Sequence, residues 1–241
     1  MDMFFVLCAV AILGISKAGF GGVGTAVALP VMSLGLPPDM ALGVLLPLLL
    51  ATDVISVTAH RKDMDLSAIF FALPGALLGV ALGAWVIDLA APSLIAGTIG
   101  VLAIVFAALA LSGRNPDVSG WPRWTGSIFG GISGLTSTLA HAGGPPIHIY
   151  FLAKSYVPRM FVATSAGFMA GVNLLKVGPY FMIGALDRTA LTWALMLAPL
   201  AIAAAISGVY IARVLSKRVF KLAVNWLLIA AGAKLLFDAF T

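Results

Sequence analysis

Apolar runs of about twenty residues recur along the whole chain, and each is long enough to cross a hydrocarbon layer of about 30 Å as a helix. They fall at about 3–16, 25–35, 40–59, 66–87, 92–112, 124–138, 146–153, 159–183, 189–212 and 219–240. No stretch is left over for a soluble domain. With 61% hydrophobic and only 10% charged residues in 241, the composition is that of an all-α polytopic membrane protein.

The formal net charge of +5 is carried by short loops between the runs, where membrane topology accounts for it, so no nucleic-acid partner is expected. Cys8 is the single cysteine, which excludes an intramolecular disulfide. Residues 3–15 resemble a signal-peptide core. No basic segment precedes them and their pattern recurs later, so they are expected to stay in the mature chain.

Two pairs of runs are short and interrupted by glycine, and each pair opens a similar half. "GISKAGFGGVGTAVALPVMSLGL" (14–36) is matched by "GISGLTSTLAHAGGPPIHIYFLAK" (131–154). Asp53 lies 15 positions after Pro38, and Asn173 lies 15 after Pro158. "LPGALLGVALGAWV" (73–86) aligns with "APLAIAAAISGVYI" (198–211) at Pro74/Pro199 and Gly83/Gly208. The order of these matches, rather than any single identity, predicts an internal repeat. A first repeat over 1–112 would comprise an interrupted pair, 3–35, and three spans. A linker, 113–123, then leads to a second repeat over 124–241, with its interrupted pair at 124–153.

Lysine and arginine distinguish two topologies, because cytoplasmic loops carry an excess of both. If the interrupted pairs cross the membrane, Arg61, Lys62, Arg114, Arg123 and Arg188 face Lys154, Arg159, Arg213, Lys217, Arg218 and Lys221, which is no bias. If each pair returns to its own side, six helices cross and all of these except Arg188 share one side. That asymmetry predicts re-entrant hairpins, a cytoplasmic basic side and both termini outside, with Asp2, Asp39, Asp88, Asp187 and Asp238 leaning outward. Each half then crosses an odd number of times, so the second is inverted relative to the first. Inverted repeats with broken helices meeting near the midplane are a recurrent plan of secondary transporters.

Non-helical backbone at membrane depth is tolerated only where it is buried in protein or lines a wet cavity. Gly19, Gly21, Gly22 and Gly24 suit a tight reversal before a short helix starting near Thr25, and Gly143 and Gly144 suit a second, before Pro145 and Pro146 in a first helical turn. Two helix N-termini facing a common centre form an anion site, to which Lys17 adds a charge and Ser16, Thr25, Thr136, Ser137 and Thr138 add hydroxyls. For Lys17 the competing reading is snorkelling beside glycines that serve helix packing. His141 is a candidate to contact substrate, carry a proton or cap a helix; His148, one turn on, is a further coupling candidate if it faces the same cavity, with packing the favoured reading. Asp53 is the acidic residue deep in a span, a candidate for proton coupling or for an ion pair with Lys17 or Lys176, and its repeat partner Asn173 cannot titrate. Lys176 and Lys234 are expected to snorkel at helix ends.

The paired segments "KAGFGGVGTAVALPVMSLG" and "TSTLAHAGGPPIHIYFL", each followed by a three-helix unit, resemble the TauE/SafE family of sulfite and organosulfonate exporters over essentially the whole chain. The first motif departs from the common glycine triplet in its Gly21-Gly22-Val23-Gly24, and the second carries His141 and a Pro-Pro pair. The resemblance implies movement of a small sulfur oxyanion or sulfonate across a bacterial inner membrane. No cofactor, metal or enzymatic activity is expected; protons are a candidate coupling ion, the lipid bilayer is the setting, and a homo-oligomer is compatible with this plan. An anion channel of the same architecture is the alternative. A rhomboid-like serine protease, suggested by "GISG" (131–134) around Ser133, fits poorly, because the nearer histidine is eight residues on across a turn rather than on a separate packed helix.

Overall fold

The structure, a computed structural model, describes the chain except residues 1, 20, 21, 23, 24, 113–120, 153, 155, 215, 216 and 241. The described residues form ten α-helices and no strand: α1 (Met3–Gly19), α2 (Thr25–Met32), α3 (Pro38–His60), α4 (Leu66–Leu89), α5 (Pro92–Leu111), α6 (Thr125–Ala140), α7 (Gly144–Leu152), α8 (Pro158–Met182), α9 (Arg188–Val214) and α10 (Lys217–Phe240). Helix starts follow local chemistry. Prolines, which lack the N–H that a first turn leaves unpaired, open α3, α5 and α8. The Asp65 carboxylate accepts from the Ala68 N–H at 3.0 Å and that of Asp187 accepts from the Ala190 N–H at 2.7 Å, capping the starts of α4 and α9.

Among the described residues, four helical segments are long and apolar enough to cross a membrane: Pro38–Asp63, Leu66–Leu89, Pro158–Met182 and Arg188–Gly208. α5 and α10 run 20 and 24 residues and contain the further apolar stretches Ser93–Leu109 and Asn225–Phe237. Large side chains such as Phe70, Leu78, Trp85, Leu195, Met196 and Phe237 are exposed, as on a lipid-facing surface. All eight residues of α2 are buried, so this short helix is hydrophobic on every face because it lies inside the bundle.

Each short pair is a hairpin whose outer ends lie together. The Asp2 N–H donates to Gly35 O at 3.3 Å, bringing the start of α1 to the chain just past α2. At the same end α3 begins, and Gly43 abuts the α8–α9 turn so closely that a Cβ would come 1.9 Å from Ala185 O. The second hairpin opens at the opposite end, where α3 finishes in a 3-10 turn, Arg61–Asp63. There Arg159 Nε donates to Asp63 Oδ2 at 2.6 Å, the Asp65 N–H donates to Thr164 Oγ1 at 3.0 Å, and the Tyr156 hydroxyl donates to the Asp65 carboxylate. The Tyr150 hydroxyl near the end of α7 donates to Arg123 O at 3.5 Å, and Ser127 donates to Phe71 O at 2.7 Å, so α6 starts and α7 ends there too. Arg61, Lys62, Arg123, Lys154 and Arg159 therefore share this end. Arg114 lies outside the described residues.

The longer first helices of the hairpins, α1 and α6, lie along α9 and α4. Small residues permit the approach. A Cβ on Gly75 would come 1.7 Å from Ser127 O, one on Gly79 2.0 Å from Gly131 O, and one on Gly130 2.0 Å from Ala72 O. On the other side, Gly208 would meet Ile15 O at 2.6 Å and Gly14 would meet Ala201 O at 2.6 Å. In hydrocarbon such close backbone contact supplies the packing attraction between helices, because lipid tails are as apolar as leucine. α5 pairs with α10, and α3 crosses α8.

Two outcomes follow. Gly79→Ala should lower the thermal unfolding temperature of the detergent-purified protein. Gly97→Ala on α5, where a Cβ meets Ala239 Cβ at an ordinary 3.7 Å, should leave stability unchanged or raise it by up to about 1 kcal/mol. At the basic end, burial favours the neutral Asp65 carboxyl. Hydrogen bonds from Tyr156 and from the Ala68 and Ser67 amides, with the Lys154 charge, outweigh it and hold the group below its usual range. A depressed carboxyl stabilises the fold above the unfolded value of about 3.9 and loses that contribution as pH falls through the folded one. The stability gap between wild type and Tyr156→Phe should therefore be full near neutrality and close in acid, as read by thermal unfolding across pH.

Candidate functional site

Both hairpin reversals lie well inside the bundle. From its entry end α1 runs 17 residues, about 25 Å, and α6 runs 16, about 24 Å, against about 34 Å for the 23 residues of α3. Two helices of that length entering from opposite ends must overlap, and the turns do meet: a Cβ on Gly144 would lie 3.9 Å from Gly22 O. Ala140 and Ala142 of the second turn pack in the same core as α2.

In the first turn Gly22 has φ 78°, a left-handed conformation that glycine adopts without strain. Its N–H donates to Ser16 O at 3.0 Å, and its carbonyl accepts from the Thr25 N–H and hydroxyl at 3.1 and 2.8 Å. Gly21 and Gly24 lie outside the described residues. The second turn lies at Gly143 and the start of α7, as the sequence suggested, and its left-handed residue is His141, at φ 49°. Its N–H donates to Ser137 O at 2.9 Å, which ends α6. Gly143 is needed for space, since a Cβ there would fall 2.8 Å from Ser133 O and from the Ser137 Cβ. α7 begins at Gly144 with Pro145 and Pro146 following, as expected.

The side chains at these turns converge on α3 and α8. Lys17 Nζ lies 2.7 Å from Asp53 Oδ1, with both groups almost fully buried, and Asn173 Nδ2 donates to Asp53 Oδ2 at 2.7 Å. Asp53 and Asn173 each stand fifteen residues after the proline that opens their helix, and here they touch. The spacing read from sequence thus fixes the crossing point of α3 and α8. Breaking such a buried pair by removing one partner costs about 3–5 kcal/mol, because the other charge is left without compensation.

Three residues beyond Asn173, Lys176 is 0% exposed and reaches inward, contrary to the snorkelling expected of it. Its Nζ donates to Ser137 O at 3.2 Å and Ser137 Oγ at 3.1 Å, and lies 2.8 Å from His141 Nδ1. It also lies 5.7 Å from the Tyr180 ring, whose hydroxyl donates to Thr138 O at 2.6 Å. An ammonium can only donate, so His141 Nδ1 accepts, and the ring proton sits on Nε2, which donates to Leu42 O at 3.0 Å. His141 is therefore a neutral link between Lys176 and α3. The sequence offers Lys176 as a candidate partner of Asp53 but favours snorkelling, because of its distance from the helix end; the signal for its inward position is its place one turn after Asn173, on the same helix face.

Other candidates are spent locally. Thr138 Oγ1 donates to Gly134 O at 2.8 Å, and Thr136 Oγ1 to Ile132 O at 2.9 Å. His148 packs against Phe161 with ring centroids 5.1 Å apart, away from the lysines' hydrogen-bond network. Lys234 is exposed, as snorkelling requires. The Ser133 hydroxyl donates to Gly143 O while both nitrogens of His141 are engaged elsewhere, so the described residues do not form a serine–histidine pair here. A cavity of about 570 Å³ between α5 and α10, lined by residues such as Leu94, Val101 and Phe240, is apolar and remote from the lysines.

Among known proteins, the family described as sulfite exporter TauE/SafE matches residues 6–235. No curated protein and no solved structure matches. Matched over nearly its whole length, and built of apolar helices around a buried ionic cluster, the chain belongs to the TauE/SafE sulfite exporter family of membrane transport proteins.

Proposed function

We propose that the protein is a secondary transporter that moves sulfite or a related organosulfonate across the bacterial inner membrane by alternating access. The anion is held where the two hairpin tips meet. The observation that carries this reading is the burial of Lys17, Lys176 and His141 in one cluster at the tips of two broken helices, in a TauE/SafE chain. Ionisable residues inside a membrane are costly and mark ion pathways by default. Lys17, the Gly22–Thr25 turn and the His141–Gly144 turn would surround the anion, with Ser137 and Thr138 behind them. Asp53 and Asn173 act as the ion-pair support of Lys17, and a proton gradient drives the cycle.

The reading includes two inverted repeats, 1–112 and 124–241. Its support is the pattern of pairings: α1 with α9 and α6 with α4 exchange when the first five helices are interchanged with the last five, while α5–α10 and α3–α8 map onto themselves. The hairpins open at opposite ends, and equivalent helices α4 and α9 carry equivalent aspartate caps. In this reading both hairpins are re-entrant, the end bearing Arg61, Lys62, Arg123, Lys154 and Arg159 faces the cytoplasm, and both termini lie outside.

A proteoliposome flux screen of sulfite, sulfate, thiosulfate and small sulfonates, with and without a proton gradient, tests the proposal. At least one sulfur anion should show saturable flux that the gradient accelerates. The Lys17→Met/Asp53→Asn double variant leaves no carboxylate unpaired and should lose at least about tenfold in affinity with the loss of hydrogen bonds to the ammonium. Absence of flux for every anion, or unchanged affinity in the double variant, contradicts the proposal, and flux that does not saturate assigns a channel instead.

A further inference from the structure

The charges in the proposed binding cluster limit what can bind there. Lys17 and Lys176 contribute two positive charges and Asp53 one negative, while His141, Asn173, Ser137 and Tyr180 are neutral in the hydrogen bonds they make. Lys17 is balanced by Asp53. No carboxylate among the described residues lies within ion-pair distance of Lys176, and its partners Ser137 O, Ser137 Oγ and His141 Nδ1 carry no formal charge. With Lys176 protonated the cluster carries one net positive charge among groups that are 0–4% exposed, a state that burial disfavours until an anion enters.

Hydrogen-bonding capacity is also left open beside it. Among the described residues Asp53 is the one polar side-chain partner of Lys17 Nζ, and the buried Asn173 Oδ1 has none. An uncompensated charge in a dry interior is costly, and so is an excess of the opposite sign. A ligand carrying one negative charge brings the cluster to neutrality, whereas a dianion leaves it negative by one.

Resting on the transporter reading above, we propose that the cluster selects a monovalent sulfur oxyanion, hydrogen sulfite or an alkylsulfonate, over the dianions sulfite and sulfate. Lys176 sets this charge through its lack of a carboxylate, and Asp53 sets it by cancelling Lys17.

Calorimetric titration of the purified full chain with methanesulfonate, sulfate and sulfite tests the inference. Methanesulfonate should bind, and sulfate should bind at least about a hundredfold more weakly. Above the second ionisation of sulfurous acid, the ratio of sulfite to methanesulfonate affinity should fall about tenfold per pH unit, as the competent fraction of sulfite falls. Taking the ratio cancels any titration of the protein. Asp53→Asn adds one net positive charge and should raise the sulfate-to-methanesulfonate ratio at least about tenfold, a gain that unfolding cannot mimic. Lys176→Met, checked for folding by thermal unfolding, should weaken methanesulfonate at least about tenfold. Sulfate binding as tightly as methanesulfonate, a pH-independent ratio, or an unmoved ratio in Asp53→Asn overturns the charge inference and leaves the transporter reading standing. If none of the three anions binds, the transporter reading fails and the inference with it.

Discussion

Ionised groups held away from water must find partners, and here that requirement ties the two halves of the chain together. Asp53 on α3 accepts Lys17 from the first hairpin and Asn173 from α8, while Lys176 of α8 reaches Ser137 and His141 in the second hairpin. His141 closes the circuit on Leu42 of α3. Four separate segments thus share one polar network, and none of its members could be moved to lipid at small cost. The two broken helices stop where they do because their ends have polar business at this centre.

Reaching it requires room. α1 and α6 lie against α9 and α4 through glycine and alanine, at separations a single added Cβ would violate. Close backbone packing replaces the hydrophobic driving force that lipid removes. The same small residues allow interrupted helices, with their unpaired backbone groups, to be enclosed by protein as the surrounding hydrocarbon demands. The two constraints act in sequence: small residues admit the hairpins, and the hairpins bring Lys17, Ser137 and His141 to Asp53 and Lys176 on α3 and α8.

Much of this was legible in the chain itself. Apolar runs gave the helices and the glycine-interrupted pairs gave the hairpins; the equal spacing from Pro38 to Asp53 and from Pro158 to Asn173 was legible as a repeat, whereas the 2.7 Å contact between the two residues was not. The sequence offers both Lys17 and Lys176 as partners of Asp53, and the structure pairs Lys17. The contacts of Lys176 with Ser137 and His141 are not legible, because hydropathy records how far a lysine lies from a helix end and not which face it occupies in the bundle. Gly143 and Gly144 mark the second turn in the sequence, but which residue turns left-handed is not legible there: the close approach of Ser133 and Ser137 uses Gly143 for space, and His141, anchored by Leu42 and Lys176, takes the strained conformation. Tertiary contacts decided both, and they have no local signature.

The hairpins enter from opposite faces, so that their turns meet inside beside Lys17 and Lys176. This opposed entry is tested most directly by labelling single cysteines introduced into a Cys8→Ser background with a membrane-impermeant maleimide in intact cells. Asp39→Cys, at the end where the first hairpin opens, and Val157→Cys, where the second opens, are both exposed positions. The account predicts labelling of the first from outside and of the second only after the membrane is permeabilised. Labelling of both from the same side would contradict it.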